Sequence, residues 1–225
     1  MQTRSQYLVH YDICEIFQSI QGESTFAGLP CVFIRFTGCN LRCRWCDTQY
    51  AFEGATRRSL NDIIAAVAEF APCKLVELTG GEPLLQPHVP SLAGELLALG
   101  YTVLVETNGS LDLSTLAKEV RKIIDLKPPS AQPPQNYEEA WKKNLPYMGS
   151  SDEIKCVIAH REDFDYCVKK LEAWNLWGKH TILFSAAWGL LREEELVRWI
   201  LESRLPIRLN LQWHKYIWSP DAKGV

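Results

Sequence analysis

Short apolar runs rich in β-branched residues alternate with helical patterns along almost the whole 225-residue chain. Runs of that length suit strands buried on both faces, and the one-sided stripes between them suit helices crossing back over a sheet. The alternation therefore calls for repeated βα units and a mainly parallel sheet. Cys31-Val32-Phe33-Ile34-Arg35-Phe36 reads as the first clear strand. A helix follows from near Ser59, an N-cap with Asp62 three residues on, and Leu60, Ile63, Ile64 and Val67 form its apolar face. Lys74 to Thr79 is a strand, a helix runs from about Pro90 to Leu99 and stops at Gly100, and Thr102 to Glu106 is a strand closed by Thr107-Asn108-Gly109.

The pattern continues with a helix from Ser114 to Lys122 and a short strand from Ile123 to Leu126. A Pro- and Gln-rich stretch from Lys127 to Ser150 breaks the rhythm, as a functional loop or a poorly ordered one. Strands then fall at Glu153 to Ala159, Thr181 to Ser185 and Ile207 to Leu211, with helices from Glu162 to Trp174 and Glu193 to Ser203. The expectation is an α/β fold in one domain spanning 1–225: a partial, open (β/α) barrel with six or so parallel strands and an N-terminal addition around Asp12 to Gln18. Charge is nearly balanced, 24 Lys+Arg against 27 Asp+Glu, which argues against direct nucleic-acid binding. The start, Met1 to Tyr7, is polar and no apolar stretch approaches the ~20 residues that span a bilayer, so no membrane role and a cytoplasmic location are expected. Eight cysteines are too few for a disulfide-stapled scaffold, and Cys14, Cys31, Cys73, Cys156 and Cys167 read as small buried hydrophobes.

Cys39, Cys43 and Cys46 are different, since they sit in one tight loop after the first strand. Three converging thiolates select a soft centre, zinc or iron-sulfur, and leave one coordination position open for an exchangeable ligand. A zinc site completed by a remote Cys or His, or a redox pair from Cys43 and Cys46, are the rival readings. The other unusual residues also fall where strands end, which is where parallel α/β sheets build their sites. Gly80-Gly81 is a turn or a place where a ligand approaches the backbone, with Glu82 as an acceptor. Glu106 is placed to grip ribose hydroxyls, unless Asn108-Gly109 is only a turn. Arg35 inside an apolar strand needs an anionic partner, while His214 reads most simply as an ordinary histidine.

Cys-x3-Cys-x2-Cys after one strand, Gly-Gly-Glu-Pro after the next and Glu-Thr-Asn-Gly after a third together resemble the radical S-adenosylmethionine superfamily. The segments Glu15 to Ser24, Phe33 to Leu41, Trp45 to Thr48 and Asp125 to Ser130 extend the likeness over most of the chain. They resemble the branch that converts 6-carboxy-5,6,7,8-tetrahydropterin into a carboxylated deazapurine with loss of ammonia, for queuosine and related 7-deazapurines. The resemblance implies a modified radical SAM core and a [4Fe-4S] cluster on Cys39, Cys43 and Cys46, the fourth iron chelated by S-adenosylmethionine. Reductive cleavage would give a 5′-deoxyadenosyl radical that abstracts hydrogen from the substrate. It further implies S-adenosylmethionine contacts from Trp45, Cys46, Asp47, Gly81, Asp125, Leu126, Lys127, Ser185, Ala186, Ala187 and Trp188. The pterin would meet Ile20, Gln21, Gly22, Arg35 and Thr79, with Arg35 facing its carboxylate, and Thr48 would ligate Mg²⁺. Glu23 and Asp47 could assist proton movement, and no general base is assigned. The tail from Gln212 to Pro220 resembles a terminal segment whose end carboxylate reaches substrate, although this chain runs on to Val225. A flavodoxin- or ferredoxin-like electron donor and a homodimer are implied as partners. A glycyl-radical-enzyme activating enzyme and a zinc-binding adaptor are the alternative functions.

Overall fold

The computed structural model describes residues 9–225, so the polar start read from Met1 to Tyr7 lies outside the described residues. The strands are β1 (His10–Ile20), β2 (Pro30–Phe36), β3 (Thr56–Ser59), β4 (Leu75–Gly80), β5 (Thr102–Thr107), β6 (Arg121–Asp125), β7 (Glu153–Ile158), β8 (Thr181–Ala186) and β9 (Ile207–Leu209). The helices are α1 (Leu60–Ala68), α2 (Val89–Ala98), α3 (Tyr137–Lys143), α4 (Arg161–Ala173), α5 (Glu193–Ser203) and α6 (Trp213–Ile217). One sheet contains all nine strands in the order β3-β1-β2-β4-β5-β6-β7-β8-β9. From β2 onward every neighbouring pair is parallel, seven strands where six or so were expected. The N-terminal addition is the antiparallel pair β1 and β3.

Strand side chains alternate between two faces, and the faces differ in kind. On one, Val32, Ile34, Phe36, Val76, Leu78, Val105, Ile154, Ile158 and Phe184 join Ile63, Val67, Leu92, Leu96, Phe164 and Leu196 from the helices in the main core. On the other, Cys31, Phe33, Leu75, Leu104 and Ile123 form a small apolar floor. Two residues further along the same strands that face turns polar, with Arg35, Glu77, Glu106 and Asp125. The helices thus cover the outside while the inner face is left for chemistry.

Local signals account for much of this. Ser59 accepts from Asp62 N and Asp62 returns the bond, the capping box that starts α1. The expected helix from Ser114 to Lys122 does not form. The Asp112 carboxylate takes the backbone N–H and hydroxyl of Ser114, and the Asn144 amide binds Leu113 N and the carbonyls of Gly109 and Leu111. Those side chains satisfy the backbone in an irregular path, and Leu113, Leu116 and Val120 are buried without a helix. The stretch from Lys127 to Ser150 is an ordered element, with α3 placing Trp141 against Gly109, where a Cβ would lie 2.5 Å from the indole, and stacked 4.9 Å from Trp174. Leu92 is wholly buried between α2 and the sheet. Leu92→Ala is expected to cost about 2–5 kcal/mol, measured as a lower urea midpoint at constant m-value, and a shift below about 1 kcal/mol would contradict this core assignment.

Candidate active site

The loops leaving β2, β4, β5 and β6 converge with the tail on one cavity, and Cys39, Cys43 and Cys46 all line it. The three thiols are free and partly exposed. Burial pushes each of them up from its ordinary pKa. The loop turns at Gly38 (φ +94°), whose N–H donates to Ala51 O at 2.8 Å. Gly80 and Gly81 serve this loop directly. A Cβ on Gly81 would fall 2.0 Å from Gly38 O, and one on Gly80 2.3 Å from Phe36 O. The pair thus admits the end of β2 and the start of the cysteine loop at close range, and both glycines also line the cavity. Glu82 is fully buried and accepts from Leu84 N, Thr107 Oγ1 and Asn108 N at 3.1, 2.8 and 2.7 Å. Burial outweighs those bonds and lifts its pKa to about 7, and the carboxyl clamps the β4 and β5 loops together.

Deeper in the cavity the charges form a chain. Lys155 Nζ, 6% exposed, donates to Glu23 Oε2 at 2.7 Å and to Glu106. Burial would strip its proton, yet Glu106 and Glu23 reverse that and hold its pKa well above the ordinary lysine value. Burial likewise opposes ionisation of Glu23, but Lys155 and His214 together with bonds from Lys155 and Gln212 bring it down to about 2. Glu106 also accepts from Thr79 Oγ1 at 3.3 Å, so it is engaged by protein groups where a ribose contact was expected. Below it Glu77 accepts from Gln21 Nε2, and burial together with the charge of Glu106 raises its pKa well above the carboxylate range. Arg35 Nε pairs with Glu15 Oε1 at 2.8 Å, which also accepts from Tyr50 OH at 2.7 Å. The partner that Arg35 demanded is thus found within the chain, and the rings of Phe17 and Tyr50 each lie 5.8 Å from its guanidinium carbon.

Of the residues singled out in the sequence, Ile20, Gln21, Gly22, Arg35, Trp45, Asp47, Thr48, Thr79, Gly81, Asp125, Lys127 and Trp188 line the cavity with the three cysteines. Four do not. Leu126 is buried in the main core; Ser185 Oγ accepts from Asn210 at 2.8 Å; Ala186 and Ala187 are buried, Ala187 in a small cluster against which Trp45 packs. Lys155, Glu77 and Tyr50 were not singled out, though Lys155 and Glu77 carry the signal that exposed Arg35, a charge inside an apolar strand, and Lys215 stood within the tail segment with no role of its own.

The donor set fits an iron-sulfur cluster. Three thiols share one cavity wall, a soft donor set that leaves one position open. A cluster needs its thiolates apart, one on each of three irons. Asp125 Oδ2 pairs with Lys127 at 2.6 Å, while Asp125 Oδ1 is buried with no hydrogen-bond partner among the described residues. Such an orphaned acceptor suits a polar cofactor with hydroxyl or amine donors.

A curled parallel sheet with a three-cysteine loop after its first parallel strand defines a radical SAM protein, and the family model described as radical SAM superfamily matches residues 33–132. A relative from Koribacter versatilis named 7-carboxy-7-deazaguanine synthase is 41% identical over 95% of this chain and 99% of its own. Another of that name from Chlorobaculum tepidum is 42% identical over 95% and 97%. The crystal structure of QueE from Escherichia coli superposes with a TM-score of 0.74 at 20% identity, covering 95% of this chain and all of that one. The chain belongs to the 7-carboxy-7-deazaguanine synthase family of radical SAM enzymes. Gly81→Ala is expected to displace the cysteine loop and reduce iron and sulfide incorporated on anaerobic reconstitution, with far-UV circular dichroism native; full iron loading would show that the loop tolerates the methyl group.

Proposed function

We propose that this enzyme converts 6-carboxy-5,6,7,8-tetrahydropterin into 7-carboxy-7-deazaguanine with release of ammonia. The observation that carries the reading is a single cavity lined by the three cysteines at its rim and by Arg35, Gln21 and Thr79 within. Cys39, Cys43 and Cys46 would hold the [4Fe-4S] cluster. S-adenosylmethionine would lie against Trp45, Asp47, Gly81, Asp125, Lys127 and Trp188, with Ala187 packed behind Trp45. When bound, the two supply the one-electron chemistry that removes a hydrogen atom from the substrate.

The chain's own residues bind and orient. Arg35 is held by Glu15 through Nε only, which supports its guanidinium as the partner of the pterin carboxylate. Ile20, Gln21, Gly22 and Thr79 would surround the ring. Glu23, with its pKa near 2, remains ionised at neutral pH, whereas Glu77 keeps its proton more tightly than an ordinary carboxyl. Donor and acceptor therefore coexist in the cavity for the proton movements that accompany loss of ammonia. Thr48 Oγ1 donates to Asp47 Oδ1 at 2.8 Å, and that pair of hard oxygen donors supports a Mg²⁺ site at Thr48. The reading also includes a flavodoxin- or ferredoxin-like donor, a homodimer and a single domain over residues 1–225. The cysteines are too sparse for a disulfide-stapled scaffold, which supports a reducing cytoplasm, and no helix among the described residues is long and apolar enough to cross a membrane.

Anaerobically reconstituted protein given reductant, S-adenosylmethionine, Mg²⁺ and the carboxypterin should release the deazapurine and ammonia; cleavage of S-adenosylmethionine without that product would sink the substrate assignment. Arg35→Met should lower kcat/KM for the carboxypterin by about ten- to hundredfold, the worth of a charge-assisted hydrogen bond. An unchanged kcat/KM would remove Arg35 from carboxylate recognition.

A further inference from the structure

The short helix α6 touches both ends of the site. Lys215 Nζ, on a side chain 5% exposed, reaches Asp47 Oδ2 at 2.6 Å and donates to Gln212 Oε1 at 2.8 Å. Gln212 Nε2 in turn donates to Glu23 Oε1 at 2.9 Å. Trp213 N bonds Gly22 O at 2.9 Å, and His214 packs so closely on Gly22 that a Cβ there would lie 2.3 Å from Nδ1. Asp47 follows the ligand residue Cys46, and its other oxygen accepts from Thr48. Its carboxylate therefore fixes the far end of the cysteine loop from two sides.

We infer that Lys215 is a positioning residue: through Asp47 it fixes the loop bearing Cys46, and through Gln212 it joins that loop to Glu23, which also lines the cavity. This deepens the reading of the cavity as the active site and rests on it. A five-residue helix has too few internal bonds to persist alone, so its tertiary contacts decide whether it forms. A lysine needed only for packing would lay its stem on Trp188 and send its ammonium to water. Here the ammonium turns inward onto a carboxylate that is itself 40% exposed. Docking of α6 and ordering of the cysteine loop become a single event.

Hydrogen exchange of the iron-free protein provides the first readout, and Lys215→Met should speed exchange at residues 44–48 about tenfold while the β5 and β6 amides stay unchanged. In the reconstituted enzyme the same variant should lower kcat by about a hundredfold, the scale for a small misplacement of reacting groups. KM for the carboxypterin should change little, and more S-adenosylmethionine should be cleaved per product. Lys215→Arg, which keeps a cation within reach of Asp47, should restore both. Wild-type exchange at 44–48 in Lys215→Met, or an arginine variant as impaired as the methionine one, would overturn the assignment. Should Lys215→Met fail to fold, Lys215→Gln is read by the same criteria. If the wild type makes no deazapurine, the substrate reading falls, while the exchange measurement still decides the role of Lys215.

Discussion

One buried cation between two carboxylates governs the inside of this molecule. A sheet that curls without closing has an inner face that must be either filled with apolar side chains or balanced in charge. Here the apolar floor stops at Leu75, Leu104 and Ile123, and above it Lys155 bridges Glu23 and Glu106. Removing one partner from such a set leaves uncompensated charge, typically a loss of about 3–5 kcal/mol. The polar lining is therefore part of the fold as well as of the site, and Thr79, Glu77 and Gln21 are oriented as extensions of the same chain.

The outer half of the structure was largely legible in the sequence. The boundaries of α5 and the capping box of α1 follow from local chemistry, and the βα alternation gives the parallel order. The helix expected over residues 114–122 fails for a nonlocal reason. Leu113, Leu116 and Val120 have helical spacing, but the amide that binds their loop belongs to Asn144, some thirty positions away. The α3 helix was hidden by flanking prolines, and Trp141 finds its place only because Gly109 has no side chain.

The site was legible where covalent chemistry demands particular residues at fixed spacing, as in the cysteine loop. It was less so where the role lies in packing. Gly80-Gly81 suggests room for a ligand, and both line the cavity, but the pair also makes room for the backbone of Phe36 and Gly38, which the sequence does not show. Lys155 and Glu77 carry no motif; each is a charge inside an apolar strand, and what the folded sheet adds is their burial and their partners. Leu126 stands between the wall residues Asp125 and Lys127, yet it packs in the main core, as does Ala186.

The loop after β1 and the segment after β9 meet across the curled sheet mostly through side chains: Asn210 bridges Ser24 N and Glu23, and Thr25 bonds Glu153 on β7, beside one backbone bond from Trp213 N to Gly22 O. Among the described residues no strand ladder joins these two segments. A wall stitched in this way can change its width by substitution of a few amides and carboxylates, leaving every strand pair intact. Reactants of quite different bulk could be admitted along that flank during divergence from a common scaffold, with the cysteine loop left where it was.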